Sequence, residues 1–126
     1  MRHDCALQKI DLANNFRSRY NIDSLELRSI MSKKIIGGIY SIVNKTNNKR
    51  YIGSSKSVRH RWNQSHRPLL RNNSHPNNHL QNSWNKYGED NFVFEIIEEC
   101  EESILADREG YWIEHHKSWN RSNGYN

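Results

Sequence analysis

Between Lys34 and Gly88 the chain has no aspartate or glutamate at all, although the same stretch carries ten lysines or arginines. An ordinary solvated surface mixes both signs, so a one-sided stretch of this length is expected to face a polyanion. Phosphate backbones fit best, because each phosphate neutralised releases condensed counterions. An anionic membrane is the rival, and the lack of a basic amphipathic helix with a strong apolar face counts against it. Cysteine is scarce as well. Cys5 and Cys100 are too few for a disulfide framework or a four-thiolate zinc site, and both read as reduced thiols of a cytoplasmic protein. No apolar run approaches the roughly 20 residues that span a bilayer. The N-terminal region also lacks the apolar core of a secretory signal. Neither membrane insertion nor export is expected.

What is present is a small, basic, aromatic-rich chain. Its 126 residues are enough for one domain with one core. The apolar fraction of 34% is low, so four Trp, six Tyr and three Phe must supply much of the buried area. A net charge of +5 conceals segregation: from Glu89 onward ten acids stand against three bases, whereas the first 33 residues hold four acids and six bases.

Residues 1–33 carry loose helical spacing at Leu7, Ile10, Leu25, Leu27 and Ile30, interrupted by polar stretches, and read as short helices or a partly ordered arm ahead of a core at 34–126. Met31, directly before the first strand, would also serve as an ordinary translation start, which makes the extension an optional leader. Ile39 to Val43 is rich in β-formers, Asn44 to Asn48 is turn chemistry, and Arg50 to Ile52 resumes the strand pattern, which predicts a β-hairpin. Ser55 or Ser57 can cap a helix carrying Val58, Trp62, Leu69 and Leu70. After an Asn-rich turn, Pro76 suits the first turn of a second helix, which buries Leu80, Trp84 and Tyr87 and stops at Gly88 in a left-handed cap. Phe92 to Ile97 is a strand. A last helix from about Glu102 places Leu105, Trp112 and Ile113 on one stripe. The expected order is ββααβα, an α+β fold.

Glu109 is the most informative residue, since it sits four positions from both Leu105 and Ile113 on the stripe that should face the core. A carboxylate there needs a partner, either an Arg of the basic half or a divalent cation. Tyr40 and Tyr51 lie on the two arms of the hairpin and can project toward one site, although such pairs are usually packing and a phenol of pKa near 10 is a reluctant base. Arg59 and Arg61 open the first helix, where the bland reading is surface charge. His66, His75 and His79 lack the additional closely spaced ligands of a zinc site. His115 and His116 point to different sides of the last helix and read as surface residues, and Gly37-Gly38 lacks the residues that complete a phosphate loop.

Gly38-Ile39-Tyr40 and Tyr51-Ile52-Gly53, with ten residues between the two tyrosines, resemble the paired signature of the GIY-YIG nucleases. The resemblance continues in order through Arg61-Trp62, His66, His75, the run from Leu80 to Gly88, Glu109 with Tyr111-Trp112-Ile113, and Gly124-Tyr125-Asn126. It covers the chain from about Ile35 to its end. In detail the chain is similar to the catalytic domains of phage and group I intron homing endonucleases, the Asn-rich helix ending in Tyr-Gly carrying that likeness. One departure is numerical. Between Arg61-Trp62 and His66 there is one residue more than the usual family spacing, which in a plain α-helix turns His66 about 100° off its expected face.

The resemblance implies a three-stranded, mainly antiparallel sheet flanked by helices, and hydrolysis of one phosphodiester to a 5′-phosphate and a 3′-hydroxyl. It implies Tyr40 as general base, Tyr51 orienting water or phosphate, Arg61 neutralising phosphoryl charge, and Glu109 holding a single Mg²⁺ or Mn²⁺. His66 and His75 would assist proton transfer or phosphate contact, and Asn126 would support the site. Lys49, Arg50, Lys56, Arg59, Arg67, Arg71 and Lys86 are the expected contacts to the DNA backbone. Such enzymes work in the cytoplasm of a bacterium or a phage-infected cell. They usually continue past the terminal Asn into a linker and a DNA-binding module, so a separate module or partner is expected to supply specificity. The rival readings are a structure-specific repair or recombination nuclease of the same superfamily, a non-catalytic DNA-binding module, and a DNA-specifying arm within residues 1–33 built on Arg17, Arg19 and Arg28.

Overall fold

The structure is a computed structural model that describes residues 34–126 together with Asp23 and Leu25. The helices expected within 1–33, the arm with Arg17, Arg19 and Arg28, and Cys5 therefore lie outside the described residues. Residues 36–126 form one compact unit. Its elements are β1 (Gly38–Asn44), β2 (Arg50–Ser55), α1 (Val58–Arg61), a π-helical turn (Trp62–His66), α2 (Arg67–Arg71), α3 (Asn78–Tyr87), β3 (Phe92–Glu99) and α4 (Leu105–His116). Because α1, the π turn and α2 are continuous in sequence, the order is the expected ββααβα.

The sheet has the order β2-β1-β3 and both pairings are antiparallel. β1 is central and fully buried. Two-residue periodicity sends Tyr40, Ile42 and Asn44 to one face and Ile39, Ser41 and Val43 to the other. On the first face Tyr40 and Ile42 join Val58, Trp62, Leu70, Leu80, Trp84, Phe92 and Tyr125 in the main cluster. The Ile42 and Ile52 side chains have no exposed surface, and each such burial is worth about 1.5–3 kcal/mol. α4 packs against β2 and β1.

A register shift between β1 and β3 at Ile39/Tyr40 decides what lies under α4. Simple alternation along β3 would put Glu98 on the same face as Phe94 and Ile96. The bulge reverses it, pairing Glu98 with Ile39. There its carboxylate accepts from Arg108 Nε at 2.8 Å and Trp112 Nε1 at 2.9 Å. α4 is accordingly anchored by a buried acid as much as by apolar burial. Its stripe residues Leu105, Trp112 and Ile113 are only half-buried, where the sequence predicted a core-facing stripe.

Three local expectations are corrected. Ser57 holds the N-cap position of α1 without a side-chain bond, and Ser55 Oγ instead accepts from the Ser57 backbone N–H at 3.0 Å. α3 starts two residues beyond Pro76, with Asn77 as its cap accepting from Leu80 N–H at 2.9 Å. Gly88 does stop α3, but at φ 88°, ψ 154°, an extended mirror-image conformation open only to glycine and not a left-handed helical cap.

Candidate active site

Tyr40 projects from β1 directly across from Gly53 of β2. A Cβ built on Gly53 would lie 2.5 Å from both Cζ and Oη of Tyr40, so the ring rests on the bare backbone there. Only glycine permits that approach. Tyr51 projects to the same face opposite Ile42. The two tyrosines thus share one side of the hairpin, and both rings pack edge-on against His66.

His66 reaches them through the π turn. The Arg67 backbone N–H bonds to Trp62 O, five residues back, which absorbs one extra residue without rotating the downstream helix. The additional residue therefore does not displace His66, contrary to the expectation from its spacing. The turn keeps His66 buried at 5% exposure, with Nε2 2.7 Å from Tyr40 Oη.

A hydrogen-bonded line continues inward from Tyr40. His66 Nδ1 lies 2.9 Å from His75 Nε2, and His75 Nδ1 accepts the Asn77 backbone N–H at 3.0 Å. Because a backbone amide can only donate, His75 Nδ1 carries no hydrogen, and the neutral ring keeps its proton on Nε2. That proton goes to His66 Nδ1, which leaves the His66 proton on Nε2 to donate to Tyr40 Oη. The line has a fixed polarity toward the tyrosine. Both rings are held neutral by their surroundings. Burial first, then the neighbouring His75 and Arg61, pulls His66 from its ordinary 6.5 to about 4. Burial lowers His75 as well. A second contact fixes the His75 backbone, whose N–H donates to Gln81 Oε1 at 3.0 Å.

Arg61 and Glu109 both act on the tyrosines. Burial pushes the Tyr40 phenol well above its usual range, Tyr51 and Glu109 push the same way, and the positive charge of Arg61 opposes them. Tyr51 is raised by burial and by Glu109, and lowered by Arg61. Glu109 is half-buried, and its Oε1 accepts the Ser54 hydroxyl proton. Among the described residues it has no ion pair, so the Arg partner that periodicity left open is not there. Asn126 clamps the backbone beside Tyr51, accepting from Ile52 N–H and donating to Ile52 O, both at 2.8 Å.

The seven expected backbone contacts are dispersed. The acid-rich half folds onto the basic one and takes three of them: Arg50 pairs with Glu95 at 3.7 Å, Lys56 with Glu102 at 3.8 Å, and Arg71 with Glu89 in a two-pronged contact. Arg67 stacks over the Phe94 ring at 4.0 Å. Arg59 and Lys86 are exposed and Lys49 half-exposed. His79 stands apart from the histidine pair and packs against Tyr125 at 4.7 Å. Gly53, Ser54 and Asn77 are the site residues that sequence reasoning passed over as functional. The glycine stood within a motif already noted, while Ser54 and Asn77 gave no signal of their own.

A three-stranded antiparallel sheet with this tyrosine pair, arginine and glutamate defines a class, and the GIY-YIG catalytic domain family matches residues 36–126. The chain belongs to that family. It is 42% identical over 93 residues to Intron-associated endonuclease 1 of Enterobacteria phage T4, covering 71% of this chain and 36% of that protein. It is also 41% identical over 78 residues to Probable intron-encoded endonuclease 1 of Neurospora crassa, covering 62% of this chain and 24% of the relative. The chain thus spans about a third or less of these curated relatives. Among solved structures it is similar to the catalytic domain of homing endonuclease I-TevI, with a TM-score of 0.64 and 39% identity over 71% of this chain and 96% of that one. A point mutant of that intron endonuclease domain gives a TM-score of 0.65 and 38% identity over 73% of this chain and 93% of that one.

Proposed function

We propose that this domain is a metal-dependent DNA endonuclease of the homing type, cutting one phosphodiester bond to leave a 5′-phosphate and a 3′-hydroxyl. The observation that carries it is the buried line from Asn77 through His75 and His66 to Tyr40, ending beside Arg61. A packing tyrosine needs no such line. Its effect is to bring the His66 Nε2–H donor to the phenol oxygen, within the field of Arg61, the environment that favours a phenolate against burial.

In the reaction, Tyr40 as phenolate takes a proton from water while the water oxygen bonds to phosphorus and the P–O3′ bond breaks, the departing 3′ oxygen taking its proton from a solvent water. Tyr51 orients the water or the phosphate, and Arg61 neutralises charge growing on the phosphoryl oxygens. His66 and His75 stay neutral and hold the polarity of the line. They are donors toward Tyr40 and do not collect its proton. Asn126 holds β2 against strand fraying at Ile52.

Glu109 fits a divalent cation. Its carboxylate has one oxygen engaged by Ser54 and, among the described residues, no ion pair. Among the described residues no three potential ligands cluster, which suits an ion that keeps several waters and takes one carboxylate plus substrate phosphate, as Mg²⁺ does; Mn²⁺ would serve likewise. When bound, the ion would stabilise charge on the departing 3′ oxygen. DNA is the partner, with its backbone against Lys49, Arg59 and Lys86, and with specificity supplied by a separate module. No described helix is long and apolar enough to cross a membrane, and we place the activity in the cytoplasm.

The test is supercoiled plasmid with Mg²⁺, Mn²⁺ or EDTA, beside Tyr40→Phe and Glu109→Ala. Metal-dependent nicking or linearisation that falls at least about 100-fold in both variants is expected. Cutting by Glu109→Ala at the wild-type rate would remove the glutamate from the mechanism. DNA binding without any cutting by wild type would leave a binding module.

A further inference from the structure

A second basic feature lies away from the tyrosines. The hairpin turn, α3 and the C-terminal turn border an open cavity of about 230 Å³ lined by Lys49, His79, Asn82, Ser83, Lys86 and Arg121, among others, with no carboxylate in its wall. Lys86 and Arg121 are exposed, and no ion pair is formed by Lys49, Lys86 or Arg121 among the described residues. This contrasts with Arg50, Lys56 and Arg71, whose charges the acid-rich half has taken up. Arg121 itself belongs to that acid-rich half, outside the acid-free stretch that the charge pattern marked as facing a polyanion.

The floor adds a hydrogen-bond donor. Asn44 Nδ2 donates toward both Ser83 Oγ at 3.1 Å and Tyr125 Oη at 3.2 Å, in one bifurcated contact. Ser83 Oγ and Tyr125 Oη are 2.6 Å apart and share one hydroxyl proton. One hydroxyl proton of the pair is left over, on Ser83 when Tyr125 is the donor between them, and Ser83 lines the cavity. The fields of Arg121 and Lys49 also reach His79, lowering its pKa after burial has done so. The two cations therefore converge from different segments.

We propose that this cavity binds a non-scissile phosphate of the nucleic-acid backbone, an inference that rests on the nuclease reading and extends it to a second anchoring point. The volume lies below the roughly 300–1,000 Å³ of sites that enclose whole small molecules, which suits one phosphate rather than a nucleotide. Lys49 is two residues from Tyr51, roughly 7 Å along the strand direction. At about 3.4 Å of axial rise per phosphate, that separation corresponds to about two steps along one strand. Three cations and a hydroxyl here would fix the direction of the strand that enters the site.

The experiment is duplex-DNA binding measured against salt concentration without divalent metal, for wild type, for Lys86→Gln with Arg121→Gln, and for Asn82→Asp. Lys34→Gln with Lys117→Gln removes the same charge from outside the cavity and serves as the control. The double cavity variant is expected to bind about tenfold more weakly at low salt, with the slope of log affinity on log salt reduced by about one. Asn82→Asp, which sets a carboxylate against the phosphate, should weaken binding comparably. Equal losses of affinity and slope in the cavity variant and the control would overturn the proposal. Wild type that binds but never cuts with metal present would sink the nuclease reading alone and leave the cavity result to stand by itself.

Discussion

Acid should destabilise this domain through one residue more than any other. His66 is buried, accepts at Nδ1 from His75 and is held at a pKa of about 4 against its ordinary 6.5. A proton added at Nδ1 would face the His75 Nε2–H, setting donor against donor. Between those two pH values the unfolded chain binds the proton and the folded one does not, so stability is complete above about pH 6.5 and declines as pH falls toward 4. Integrating that difference gives a loss of about 2 kcal/mol by pH 5 and about 3 kcal/mol by pH 4. Those are large shares of the ~5–15 kcal/mol of a typical domain. His75, whose pKa is also lowered, adds in the same direction. The assay is urea unfolding at a series of pH values, for wild type and His66→Gln, with the His66 ring followed by NMR. The stability gap between the two proteins should shrink on acidification by the amounts given. A gap independent of pH, or a His66 midpoint near 6.5, would refute the neutral line and with it the fixed polarity toward Tyr40.

Three further outcomes are expected. Since burial raises the Tyr40 phenol, its base form is the minor species at neutral pH, and single-turnover cleavage should rise about tenfold per pH unit from pH 6 to 8; a plateau already reached at pH 6.5 would point to another base. Gly53→Ala places a methyl 2.5 Å from Tyr40 Cζ and Oη, so the ring must move; nicking should fall about 100-fold and stability by about 1–3 kcal/mol, whereas full activity would show that the ring does not depend on that position. Deleting Gln64, an exposed member of the π turn, should convert Trp62–His66 to regular α-helix and keep His66 on Tyr40, giving a folded, active protein; loss of cleavage with folding intact would mean the π turn itself is required.

The hairpin, the helix ending at Gly88, the third strand and the last helix were legible because each carries a periodicity, a turn or a stop that acts locally. The tyrosine pair, Arg61 and Glu109 were legible through the order of the motifs around them. The histidines were harder. Counting residues along an α-helix turns His66 away from its partners, since a count presumes 3.6 residues per turn and a π turn does not obey it. The partners of the basic residues were not legible either. Long-range pairing set Glu89, Glu95 and Glu102 against Arg71, Arg50 and Lys56, and no linear charge pattern encodes which acids will fold back.

The sequence by itself determined the order of elements, the two faces of the central strand and the residue types available for phosphodiester chemistry, because these depend on neighbours in the chain. Only the tertiary structure decided the direction of the proton line into Tyr40, since it depends on a backbone amide at Asn77 meeting a ring that must in turn meet His66. It likewise decided that Glu109 has no ion pair among the described residues and that Arg121 joins Lys49 and Lys86 around one cavity. Those facts depend on distances between segments far apart in the chain, which packing sets and local sequence does not.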